Sequence, residues 1–129
     1  MANKTIKVDE LGVEINTQLK NYSSKIQDGL NNLTDKTAKK VRLELKRRSP
    51  KRTGRYAKSW TITVTENTFS TYRKTVHNKR HYRLTHLLED GHKTKNGKMT
   101  RRQRHIAPVV EEIGKEFVDG VKKIIKNAK

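Results

Sequence analysis

Apolar side chains recur at steps of three and four along the first third of the chain. Leu11, Ile15, Leu19, Tyr22, Ile26, Leu30, Leu33, Val41 and Leu45, with Thr37 filling one gap, keep the helical period. The spacing predicts a long amphipathic helix from about Asp9, its N-cap, to about Arg48. Pro50 ends it, because the residue before a proline is pushed out of the α region. Forty residues of helix would span ~60 Å, more than so small a domain covers by itself. Gly29, Asn31 and Asn32 are poor helix formers, so a kink or break is expected near Gly29. Two packed helices, or one helix partly docked on a neighbouring subunit, would both satisfy the pattern.

After Pro50 the period changes. Thr53-Gly54 marks a turn, and Trp60, Ile62 and Val64 then alternate with Thr61, Thr63 and Thr65. That is a half-buried strand, turned back at Glu66-Asn67-Thr68 and returned over Phe69–His77 with Tyr72 and Val76 on its apolar face. A short amphipathic helix follows over His81–Asp90, stopped by Gly91. His92–Arg104 has Met99 as its single strong apolar residue and is expected to be an exposed, mobile loop. A last helix is predicted from Pro108, with Glu111 and Glu112 in its first turn and Val110, Ile113, Phe117, Val121 and Ile124 on its buried face. Gly114 and Gly120 lie within it, as close-packing positions or as tolerated weak points. The expected fold is α+β in one domain over residues 1–129: a long N-terminal helix, a small antiparallel sheet built on a hairpin, and a C-terminal helix packed on the sheet.

Charge adds a sharper constraint. The chain carries a net +18, and nearly all of it lies in two segments. Residues 36–60 hold eleven Lys/Arg against Glu44 alone, and residues 73–105 hold eleven against Glu89 and Asp90. Concentrated charge of this kind builds a local field for an anionic partner, most often nucleic acid, although a solvated surface has the same composition. The apolar fraction is 31%, so the core is small and partners are expected to contribute stability. Without cysteine there are no disulfides, zinc thiolates or Cys nucleophiles. No apolar run approaches the ~20 residues that span a bilayer, and no signal-peptide core is present. The chain is expected to be soluble, cytoplasmically made and free of membrane contact.

Catalytic chemistry finds little support. His77, His81, His86, His92 and His105 cluster in sequence, with Glu89-Asp90 between them, but their spacing does not converge on one coordination shell. No phosphate loop and no serine nucleophile elbow occurs. No catalytic, cofactor or metal residue is assigned, no cofactor is expected, and the chain is not expected to be an enzyme. Sequence-specific DNA reading is also unsupported. The helix-turn-helix pattern is absent, and the polar face Thr61, Thr63 and Thr65 lacks the Arg and Lys that read guanine.

Three passages stand in a telling order. Pro50-Lys-Arg-Thr-Gly-Arg-Tyr-Ala-Lys-Ser-Trp60 follows the long helix, His81-Tyr-Arg-Leu-Thr-His-Leu-Leu-Glu-Asp-Gly-His92 follows the hairpin, and His105-Ile-Ala-Pro108 opens the last helix. Over about residues 8–127 the chain resembles the small head–tail joining proteins of long-tailed bacteriophages, also called neck or tail-completion proteins. The resemblance implies a non-enzymatic structural role in the virion, assembled in the host cytoplasm. It implies a homo-oligomeric ring of roughly six or twelve subunits, set between head-completion or portal-side proteins and tail-terminator or tail-tube proteins. Pro50, Thr53, Gly54, Tyr56, Ser59 and Trp60 match its motif and read as structural. The basic load of His92–Arg104 departs from the family pattern. In a ring around passing DNA, Lys93, Lys95, Lys98, Arg101, Arg102 and Arg104 would face double-stranded DNA or an acidic partner surface, without reading sequence. The Lys36–Lys58 block would face a neighbouring subunit. The alternative is a free, sequence-independent nucleic-acid-binding protein.

Overall fold

The computed structural model describes residues 4–8, 12–18, 22–51, 54–68 and 70–127. Two strands come first, β1 (Lys4–Val8) and β2 (Gly12–Gln18), followed by the helix α1 (Ser24–Arg48) and a single helical turn, α2 (Arg55–Lys58). The hairpin β3 (Trp60–Asn67) and β4 (Thr71–Asn78) follows, then α3 (Tyr82–Asp90) and α4 (Ile106–Asn127). The four strands form one antiparallel sheet in the order β1-β2-β4-β3. Helices α1 and α4 pack on each other, α1 also on β2, β3 and β4, and α4 also on β1. The α+β class and the helix–sheet–helix plan agree with the sequence pattern.

The start of the long helix differs from expectation. Residues 12–18, read as helical, form the strand β2, and α1 begins at Ser24 under a Ser23 N-cap whose Oγ accepts from the Ile26 N–H at 3.4 Å. Asp9, Leu11 and Leu19 lie outside the described residues. Two periods coexist over this stretch. Val13, Ile15 and Thr17 alternate with Glu14, Asn16 and Gln18 as cleanly as Ile15 fits a helical stripe. The strand wins because it pairs on both sides, Ile15 with Ile6 of β1 and with Lys74 of β4, while Val13, Ile15 and Thr17 are fully buried. Every backbone donor and acceptor of a central strand finds a partner this way.

From Ser24 onward α1 is one continuous helix through Gly29. The expected break is absent because Gly29 is a packing position. A Cβ there would lie 3.2 Å from Ile124 Cγ2 of α4. Further along the same seam, a Cβ on Gly120 would lie 3.0 Å from Leu33 Cδ2, whereas Gly114 faces open space. Of the two glycines, Gly120 therefore serves close packing and Gly114 does not. The buried stripe of α1 is Leu30, Thr34, Thr37, Ala38, Val41 and Leu45, set against Phe117, Ile113, Val109 and Val121 of α4 and Val76 of β4. Thr34 Oγ1 donates to the Leu30 carbonyl at 2.9 Å and lies 3.0 Å from Thr17 Oγ1.

The β3–β4 hairpin lies where the alternation predicts, but its apolar face is buried at one end only. Trp60 is 1% exposed, Ile62 is half-buried and Val64 is 49% exposed, because β3 is the sheet edge. Helix α4 starts at Ile106, two residues before Pro108. Glu111 and Glu112 therefore fall beyond its first turn, which has no acidic residue of its own. Pro108 still sits among the first four positions, where a missing N–H costs no helical bond.

Candidate functional site

The loop between α3 and α4 is ordered by its own sequence. Gly91 ends α3 with φ 77°, and a Cβ there would meet the Thr100 carbonyl oxygen at 2.9 Å, so glycine is required twice over. Thr100 closes the loop base. Its Oγ1 accepts from the His92 N–H at 2.9 Å and its own N–H donates to the His92 carbonyl at 2.8 Å. Further out, Lys93 bridges to Met99, the Thr94 N–H donates to the Lys98 carbonyl, and Gly97 (φ 77°) makes the turn. The tip is thus a miniature antiparallel hairpin. Lys93, Lys95, Lys98, Arg101, Arg102 and Arg104 are all exposed on it or on its return limb, and none forms an ion pair among the described residues.

Beneath the loop lies a polar anchor. The Glu89 carboxylate, at the end of α3, accepts from three consecutive backbone N–H groups at the start of α4. His105 is at 2.8 Å, Ile106 at 3.0 Å and Ala107 at 2.9 Å. It thereby takes the place of an N-cap side chain and meets the positive end of the helix dipole. Burial would raise the Glu89 pKa. The His105 side chain and the three N–H bonds outweigh burial and lower it to about 2.

His105 is fully buried. Its Nδ1 lies 2.8 Å from the Gln103 carbonyl and 3.1 Å from Glu89 Oε1, two acceptors, so Nδ1 carries a proton. Nε2 lies 2.8 Å from the Tyr56 hydroxyl, within hydrogen-bond distance. Burial pushes the Tyr56 hydroxyl up to about 12, against a contact with Thr85 and with help from the charge on Glu89. Tyr56, Trp60 and His105 meet edge-on, with ring centroids 5.6–6.1 Å apart. Trp60 Nε1 donates to Ser49 Oγ at 2.7 Å, and Ser49 Oγ donates on to the Leu45 carbonyl.

The structure therefore joins the passages that stand apart in sequence. Tyr56 and Trp60 are buried against His105. Pro50 follows the Ser49 C-cap, Gly54 takes φ 80° ahead of α2, and Ser59 Oγ donates to the Arg55 carbonyl at 2.8 Å. Thr53 lies outside the described residues. Glu89 and the burial of His105 escaped the sequence pattern. The one local signal was the His105-Ile-Ala-Pro108 helix start, and nothing in it points sixteen residues back to Glu89. Among the described residues no three His, Cys, Asp or Glu side chains come together as a metal group. His86 stands exposed on α3 and His92 on the loop.

The other basic stretch has a different setting. On α1, Lys40 pairs with Glu116, Arg47 with Glu44 at 2.7 Å, and Arg48 with both Glu44 at 3.1 Å and Glu112 at 2.7 Å. Arg42 Nε donates to the Trp60 carbonyl at 2.9 Å. Lys40 and Arg48 tie α1 to α4 and Arg42 ties it to β3, while Arg47 pairs within α1.

Residues 14–91, from β2 to the end of α3, match the model of a protein family described as bacteriophage HK97-gp10-like tail components. The basic loop and α4 lie beyond the matched residues. No curated protein and no solved structure matches the chain.

Proposed function

Because the chain belongs to the HK97-gp10-like family of bacteriophage tail components, we propose that it is a structural subunit of the neck, joining the DNA-filled head to the tail within a ring-shaped connector. A tail-component family supports a virion location and a non-enzymatic role, with other virion proteins as partners. No helix among the described residues is long and apolar enough to cross a membrane.

One observation carries the finer reading. Six cations project from a loop whose base is held by Thr100 and Glu89, and none of them forms an ion pair among the described residues. Unpaired cations on an anchored support suit a polyanion that must be held without its sequence being read. Lys93, Lys95, Lys98, Arg101, Arg102 and Arg104 face double-stranded DNA in the channel of that ring. The ring, of roughly six or twelve copies, lies between the head-completion or portal side and the tail terminator or tail tube.

Deleting the gene from the phage or prophage that carries it, and imaging the induced lysate by negative-stain electron microscopy, tests this role. Separate heads beside complete tails are expected. Missing or malformed tails move the protein into tail completion. Intact infectious virions overturn the connector and leave the free nucleic-acid-binding alternative.

A further inference from the structure

The two basic segments of the chain meet at the open end of the β3–β4 hairpin. Trp60 pairs with Asn78 there, so the residues just before β3 and just after β4 emerge side by side. A cleft of about 360 Å³ forms between them, lined by Arg55 and Lys58 of α2, Ser59 and Thr61, and Lys79, Arg80 and His81 of the β4–α3 turn. Among the described residues no carboxylate lines it. Lys58, Lys79 and Arg80 form no ion pair among the described residues. Like charges gathered at one place repel, so a cleft of this lining gains from an anion.

The walls are held in register by buried contacts. Asn78 is fully buried. Its Nδ2 donates to the Tyr56 carbonyl at 2.7 Å and its Oδ1 accepts from the His81 N–H at 2.9 Å. The Lys79 N–H donates to the Ser59 carbonyl at 3.1 Å. One buried amide thus fixes α2 against the turn that carries Lys79 and Arg80. Helix α3 starts at the rim, and His81 gives it no capping side chain, so its positive end adds to the same field.

We propose that this cleft is a phosphate-binding site, built for one phosphate group of a nucleic-acid backbone or for free phosphate. In its DNA form the proposal rests on the function proposed above. Helix α3 is about 13 Å long, so the cleft at its start and the basic loop at its end are separated by about four phosphates of one strand. Arg83, exposed on α3, lies between them in sequence.

The test is a ¹H–¹⁵N titration of the full chain with inorganic phosphate and, separately, with a short DNA duplex of mixed sequence. Saturable shifts are expected at the amides of Ser59, Thr61, Lys79, Arg80 and His81. The Lys79→Ala/Arg80→Ala variant should bind phosphate about tenfold more weakly and lower the salt slope of duplex binding by about 2. A charge-matched Lys25→Ala/Lys36→Ala variant, altered on exposed α1 positions, should leave phosphate binding unchanged. Shifts of these amides with the duplex assign the site to DNA. Shifts with inorganic phosphate alone assign it to a free phosphate group and still uphold it. No saturable shift with either probe, or an equal loss in the charge-matched variant, overturns it. A phage indifferent to the gene's deletion would overturn the neck role and leave this titration untouched.

Discussion

The cations of α1 and those of the 92–104 loop look alike in sequence and differ in what surrounds them. Along α1, Arg47 pairs with Glu44 of the same helix, while Arg48 and Lys40 reach Glu112 and Glu116 of α4, so charge there also bridges two helices. On the loop none of the six cations forms an ion pair among the described residues, and the structural work is done below them by one half-buried carboxylate. Net charge in a segment therefore does not tell whether that charge serves the fold or a partner. The position of the few acidic residues does.

The comparison is tested hardest at Glu89. Glu89→Gln removes the carboxylate that holds three N–H groups and the His105 ring, and unfolding in urea should show a loss of about 3 kcal/mol. The same group sets a pH dependence. Its carboxyl is depressed in the folded protein to about 2, from an ordinary 4.5. Its contribution is therefore complete above about pH 4.5 and is lost as pH falls toward 2, a swing of about 3 kcal/mol. The Glu89→Gln variant should show a flatter stability profile across that window. An unchanged profile would mean that the loop anchor lies elsewhere.

The α1–α4 seam comes next. Gly114→Ala should stabilise by about 1 kcal/mol, because alanine is the better helix former and the site faces open space. At Gly120 the same change meets Leu33, and that gain should be cancelled or reversed. Equal urea midpoint shifts for the two variants would contradict the seam. Arg48→Ala should lower the melting temperature slightly, and the difference from the parent should shrink as salt is added, because the pair with Glu112 is exposed to solvent.

The smallest effect on stability is expected at the loop. Arg101→Glu with Arg102→Glu should leave the unfolding midpoint where it is, since neither side chain forms an ion pair among the described residues. The same variant should lower the salt slope of duplex binding by about 2 and reduce DNA retention in filled heads. A clear loss of stability would show that the loop cations support the fold, and the contrast with α1 would disappear.

Features written in a few neighbouring residues were legible in the chain. The stop at Pro50, the alternation from Trp60, the end of α3 at Gly91, the exposed basic loop and the amphipathic run of α4 all depend on near contacts and backbone geometry. The order of the three motif passages was likewise enough to point to a phage family. The start of α1 was not legible, because Ile15 fits both a helical and a strand period, and only the open edges of β1 and β4 decide between them. Nor did the sequence pattern show that Glu89 caps α4, that His105 is buried beside Tyr56 and Trp60, or that Arg55 and Lys58 meet Lys79 and Arg80 across the hairpin's open end. Each is a contact between residues some sixteen to fifty positions apart. Local propensity governs which element forms, whereas such pairings exist only once the sheet has brought distant ends together.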